Sequence, residues 1–162
     1  MSAELILGID PGTAITGYGV VAKEGGGAVS LVECGVVRTS SGEILAVRIR
    51  DIYEAITTLI IRHAPSVLVV EDVFQGKNVQ SARKLGHARG AILLAGALGE
   101  IPIVEYSPRE IKKAVVGNGN ATKDQVGFMV QQQLRLKAPP SPADAADGVA
   151  AALCHCVMGT FG

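Results

Sequence analysis

Two acidic residues in this chain close short apolar runs. Asp10 ends Glu-Leu-Ile-Leu-Gly-Ile-Asp over residues 4–10, and Glu71 ends Val-Leu-Val-Val-Glu over residues 67–71. Two more acids, Asp144 and Asp147, lie three apart in an alanine-rich stretch. Apolar runs of that length, bounded by turn residues, read as buried strands. Sheets with parallel strands build their sites beyond the carboxyl ends of those strands. If the two runs are parallel neighbours, Asp10 and Glu71 emerge at one sheet edge. Residues three apart on a helix share a face, so Asp144 and Asp147 point the same way. Carboxylates from distant chain positions suit Mg²⁺, a hard cation that takes oxygen ligands and keeps some of its waters. Two such ions about 3.5–4 Å apart activate an attacking water and stabilise the leaving oxygen in phosphodiester cleavage. Asp10, on the central strand, is the natural bridging ligand, and the chemistry needs no activated Ser or Cys.

Other accounts of these residues must be weighed beside that one. Ser141 reads as a helix N-cap with Pro142 at the first helical position. Asp144 then falls at the third, where a negative charge favours the helix dipole. Asp147 is harder to explain this way. Its neighbours Ala145, Ala146, Ala150, Ala151 and Ala152 describe a helix packed closely on something, and an acid there needs a partner or a metal. Asp72 stands beside Glu71, but strand alternation turns it to the other face. Cys154-His155-Cys156 resembles a metal cluster only in one dimension, because helical neighbours at i and i+2 do not share a face. With Cys34 they make three cysteines, an odd number that argues against a disulfide framework. Small residues in or beside the core are the plainer reading.

The elements that must carry the acids follow from periodicity. Residues 16–23 and 28–38 are rich in Val and separated by Gly25-Gly26-Gly27, a hairpin pattern. With residues 4–10 they make three antiparallel strands. Leu45, Ile49, Ile52, Ile56 and Leu59 recur at helical spacing within 43–63, and Pro65 ends that helix. A buried strand over 67–71 is followed by a long helix over 79–99 and a short strand over 101–105. Helices follow at about 108–115 and 122–135. Pro139-Pro140-Ser141-Pro142 is a rigid break before a last helix at about 142–158. An antiparallel hairpin followed by βαβ units gives an α/β fold, a mixed five-stranded sheet with helices on both faces. The ribonuclease H-like fold has this order, but many chemistries use related sheets.

The 162 residues, 48% of them hydrophobic, suit one domain with one core over 1–162. No apolar run reaches the roughly 20 residues of a membrane helix, and the N-terminus lacks the basic region of a signal peptide. A cytoplasmic protein is the expectation. The net charge is zero, from 15 basic and 15 acidic residues, which is unhelpful to nucleic-acid binding unless charge is segregated. Lys77, Arg83, Lys84 and Arg89, with His87, form a stretch without acids. Arg109, Lys112, Lys113 and Lys123 make a second basic group. Two solvated helix faces account for the same pattern.

These pieces, taken in order, resemble the RuvC family of Holliday-junction resolvases. The matching residues are Asp10-Pro-Gly-Thr with Thr16-Gly-Tyr-Gly19, and Glu71-Asp-Val-Phe74 with Lys77-Asn78. After them come Ser81-Ala-Arg-Lys-Leu-Gly86, Ala88-Arg-Gly90, Val115-Val-Gly117 and Asp144-Ala-Ala-Asp147. The resemblance implies a Mg²⁺-dependent crossover junction endodeoxyribonuclease of homologous recombination and DNA repair. It would use two ions, with Mn²⁺ able to substitute. The family's four metal-binding acids match Asp10, Glu71, Asp144 and Asp147. Its aromatic residue beside the crossover matches Phe74, where stacking on an unpaired base competes with a core contact. Lys112 and Lys123 match basic positions near the family's active site, where phosphate contact is expected. Lys77, Asn78, Arg83 and Lys84 extend the expected DNA-binding set. The family's proteins are homodimers that nick two opposing strands of a four-way junction, a task suited to two-fold symmetry. They also work with the RuvA–RuvB branch-migration machinery. Gly86 and Gly90 on the long helix would allow a close crossing at the dimer interface, unless they pack on their own sheet. A related nuclease of the YqgF type, acting on ribosomal RNA precursors, an actin-like ATPase module and a non-catalytic junction-binding protein are the alternatives, and the intact acid set argues against the last. The first usually lacks the Phe74–Asn78 segment and the Asp-Ala-Ala-Asp pair. The second needs a further similar domain.

Overall fold

The computed structural model describes residues 3–72 and 78–159. Among them, β1 (Glu4–Asp10), β2 (Ile15–Lys23), β3 (Val29–Arg38), β4 (Val67–Glu71) and β5 (Ile103–Tyr106) form one sheet in the order β3-β2-β1-β4-β5. β1 pairs antiparallel with β2 and β2 with β3. β1 pairs parallel with β4, and β4 with β5. Asp10 and Glu71 therefore end adjacent parallel strands, as their apolar runs anticipated.

Alternation sorts the strand residues between two layers. Leu7, Ile9, Val20, Leu68 and Val70 pack under α1 (Leu45–His63) and α2 (Val79–Leu98). Ile6, Val21, Val67 and Val69 pack under α3 (Pro108–Val116), α4 (Lys123–Leu134) and α5 (Ala143–Met158). α5 is the most deeply placed of the five helices: Ala145, Val149, Ala151, Ala152 and Cys154 are wholly inaccessible. Its small residues meet glycines on β1 and β2. A Cβ added at Gly148 would lie 2.6 Å from the backbone of Tyr18. Helix and strand thus touch backbone to backbone, which brings the acids of α5 within reach of the sheet edge.

Several boundaries differ from the periodicity reading. β5 begins at Ile103 rather than at 101: Pro102 has no N–H to offer the ladder, and its carbonyl accepts from Leu68 N at 2.9 Å. α1 ends at His63, before Pro65, with Ala64 left-handed at φ 45°. α5 begins at Ala143, and Pro142 rather than Ser141 is its N-cap, with ψ 175° and no side-chain cap bond. Ser141 therefore does not cap this helix, because Pro142 is still extended, and Asp144 sits at the second helical position. Gly86 and Gly90 do not pack on their own sheet: among the described residues, a Cβ added at either meets nothing within 4 Å.

Candidate active site

The carboxyl ends of β1 and β4 open on the layer that holds α3, α4 and α5. A cleft of about 300 Å³ there is lined by Asp10, Glu71, Pro108, Lys112, Lys123, Val126 and Asp147. Carboxylate oxygens of Asp10, Asp144 and Asp147 all lie within 4.8 Å of one another. Glu71 falls outside that closest group, yet it lines the cleft and shares a side-chain hydrogen bond with Asp10. The four acids named from the sequence are thus brought together, three at metal-sharing distance and the fourth joined through Asp10.

The lysines arrive by separate local logic. Ser107 and Glu110 form a reciprocal capping box that starts α3, with Pro108 in its first turn. Thr122 and Gln125 form a second box that starts α4. Lys123 is then the first residue of α4, and its Nζ lies 3.2 Å from Asp147 Oδ2. Lys112 reaches the same cleft from α3.

Without a cation these acids cannot all ionise. Burial pushes the Asp10 carboxyl up, and the Glu71 and Asp147 carboxylates push it further, to about 9. Burial also raises Glu71 and Asp147, with the Lys123 ammonium opposing the rise. A buried cluster of like charges that retains a proton fits a site built for divalent cations, whose binding would displace it. All the donors are carboxylate oxygens, the set that hard cations prefer.

Other candidates from the sequence lie elsewhere. Phe74 and Lys77 are outside the described residues. Asn78 caps α2, its side-chain oxygen accepting from Ser81 N at 2.8 Å. Arg83 and Lys84 are exposed, and with Leu45, Gln80 and His87 they line a separate cleft of about 280 Å³. Arg89, grouped with them by position, is turned away from that cleft and pairs with Asp72 and Glu105. Asp72 indeed faces opposite to Glu71. With the register that pairs Val70 with Glu105, the alternation that separates Asp72 from Glu71 also puts Glu105 on the face of Asp72. Cys154 and Cys156 are buried free thiols, as the core reading held. His155 between them is hydrogen-bonded through Nδ1 to Tyr106 Oη at 2.8 Å.

Comparison with known proteins agrees with this architecture. Residues 6–155 match the family model described as crossover junction endodeoxyribonuclease RuvC. The chain is 46% identical over 151 residues to the RuvC protein of Pelotomaculum thermopropionicum, covering 93% of this chain and 92% of that one. It is 51% identical over 150 residues to that of Alkalilimnicola ehrlichii, covering 93% and 89%. Among solved structures, Thermus thermophilus RuvC in complex with Holliday junction substrate superposes with a TM-score of 0.93 at 35% identity, covering 98% and 96%. The yeast mitochondrial Holliday junction resolvase shares the fold, with a TM-score of 0.70 at 14% identity over 97% of this chain and 81% of that one.

Proposed function

Because the chain belongs to the RuvC family of crossover junction endodeoxyribonucleases, we propose that it resolves four-way DNA junctions by paired symmetric nicks in opposing strands. The observation that carries this reading is the cleft where Asp10, Glu71 and Asp147 meet Lys112 and Lys123 at the end of two parallel strands. We assign Asp10, Glu71, Asp144 and Asp147 to the binding of Mg²⁺, two ions per site, with Mn²⁺ able to replace it. When bound, such ions supply activation of the attacking water and neutralisation of the leaving oxygen. The chain's own groups do the rest. Lys112 and Lys123 place ammonium groups where a scissile phosphate must lie to meet the acids. Lys123 leaves its pairing with Asp147 for that phosphate.

Residues 1–162 form, in this reading, one ribonuclease H-like nuclease domain acting in the cytoplasm in recombination and repair. Among the described residues no helix is long and apolar enough to cross a membrane. Lys77, Asn78, Arg83 and Lys84 extend the DNA contact beyond the cleft. The working unit is a homodimer, which supplies one cut per protomer. α2 favours this, with Val79, Leu94 and Leu98 exposed and Gly86 and Gly90 open to close approach. Contact with the RuvA–RuvB machinery rests on family membership.

A cleavage assay tests the core of the proposal. A mobile four-way junction, linear duplex and structured RNA are compared with and without Mg²⁺ or Mn²⁺. Symmetric, cation-dependent nicks confined to the junction are expected. Equal cutting of duplex, or preference for RNA, overturns the assignment. A second prediction concerns Phe74, placed by family resemblance beside the crossover. Phe74→Ala should slow cleavage by about tenfold, the loss of one stacking contact of about 1–3 kcal/mol, while Tm stays nearly constant. A large fall in Tm would make Phe74 a core residue instead.

A further inference from the structure

We propose that Arg89 is a positioning residue for Glu71, holding the end of β4 in place from the opposite side of the sheet. The inference rests on the metal-centre reading above. Arg89 rises from α2 between Ala88 and Ile92, which are both buried against the sheet. Its Nη2 pairs with Glu105 Oε1 and lies 3.5 Å from Asp72 Oδ1. The side chain is only 19% exposed, whereas Asp72 and Glu105 are 56% and 41% exposed. Its Nε is buried with no hydrogen-bond partner among the described residues. A guanidinium that has given up this much water is held by the two acids rather than free to sample solvent.

Its place makes it consequential. Glu71 is the last residue of β4 and pairs with Tyr106 of β5. Beyond it, a ladder bond runs from Asp72 N to Tyr106 O at 2.8 Å. Asp72 and Glu105 lie on one face of neighbouring strands, where like charges repel. One cation between them turns that repulsion into a clamp across β4, β5 and α2. Without it the strand end is pushed open one residue from Glu71, and the Glu71 carboxylate loses its fixed place beside Asp10. Among the described residues Arg89 is not part of the cleft lining, so it acts through the backbone.

Mn²⁺ alone is the probe, titrated calorimetrically into the full-length wild type, Arg89→Gln, Arg89→Lys and Asp10→Asn. Arg89→Gln should weaken Mn²⁺ binding and lower kcat on a four-way junction by about 10–100-fold, the range for groups that orient ligands, with junction Kd in EDTA within about twofold. Arg89→Lys keeps a cation at the clamp and should recover part of both losses. Should Arg89→Gln fail to fold, Arg89→Gln combined with Glu105→Gln, which removes the repulsion together with the cation, carries the test: Mn²⁺ binding close to wild type is expected, and a loss of about 10–100-fold there overturns the repulsion account. An unchanged Mn²⁺ affinity alongside a lowered Tm reduces Arg89 to a structural residue and overturns the proposal. Weakened junction binding in EDTA with normal Mn²⁺ affinity makes it a DNA contact, which also overturns it. Asp10→Asn separates the two levels: if that variant binds Mn²⁺ as tightly as wild type, the metal-centre reading itself has failed.

Discussion

Asp10→Asn is expected to abolish junction cleavage, spare junction binding and make the metal-free protein more stable. The activity loss should be at least about a thousandfold, beyond the 10–100-fold typical of groups that only orient a ligand. The stability gain follows from linkage. Burial first, then the Glu71 and Asp147 carboxylates, raise the Asp10 carboxyl from 3.8 to about 9. Between those values the folded protein keeps a proton that the unfolded chain has released, so stability falls as pH rises. The contribution is whole below about 4 and gone once pH passes about 9. Asparagine cannot ionise, so the variant should lose this slope. Linkage between 3.8 and neutral pH sets a ceiling of about 4 kcal/mol; Glu71 and Asp147 stay buried together in the variant, so the expected gain is about 1–2 kcal/mol, the scale on which active sites trade stability for function. That corresponds to roughly 2–8 °C in Tm for a chain of this size. Thermal melts in EDTA across pH 5 to pH 9 read it directly. Mg²⁺ should narrow the gap by stabilising only the wild type, and its affinity should rise with pH because it displaces the proton. A variant that cuts at the wild-type rate removes Asp10 from the metal site. One that is less stable than wild type at neutral pH removes the like-charge account.

Asp10 and Glu71 were legible as a pair because two apolar runs each ended in an acid, and the parallel pairing of β1 with β4 did the rest. Asp147 was legible from the alanines around it, which only a closely packed helix would require. Asp144 was not separable from a dipole residue by sequence. Its carboxylate stands with Asp10 and Asp147, a fact set by tertiary approach and invisible to local pattern. The start of α5 was not legible, because Ser141 and Pro142 each carry a strong helix-start signal and local rules cannot say which prevails. Arg89 was misplaced for a geometric reason. Charge read along the chain groups it with Arg83 and Lys84, whereas the turn of the helix carries it over the end of the sheet. Gly86 and Gly90 were recognisable as unusual in a helix, but only the assembled layers reveal that none of the described residues packs against them.

Gly148→Ala should be strongly damaging for a single added methyl. The added Cβ would lie 2.6 Å from both N and Cα of Tyr18, on the second strand of the sheet. These are backbone atoms, and no rotamer change relieves the clash. Tyr18 is also held by its pairing with Ile9 and Gly35 on the strands to either side. The helix must therefore move, lifting a buried stripe that includes Ala145, Val149 and Ala152. Overpacking of this kind costs about 1–3 kcal/mol and sometimes more, and the absence of any yielding side chain puts the expectation near about 3 kcal/mol. Tm should fall by roughly 6–12 °C. The functional effect should persist where the variant is folded, because Asp147 precedes Gly148 and travels with it. A displacement of about 1 Å at a reacting centre can cost about a hundredfold in rate, so cleavage should drop by that factor even at temperatures where the variant is fully folded. Gly26→Ala, in the hairpin turn with nothing within 4 Å of the new methyl, is the control and should leave both Tm and rate nearly unchanged. If Gly148→Ala melts early but cuts normally when folded, α5 can shift without carrying Asp147 out of register. The backbone contact between α5 and β2 would then support the fold without setting the geometry of the acids.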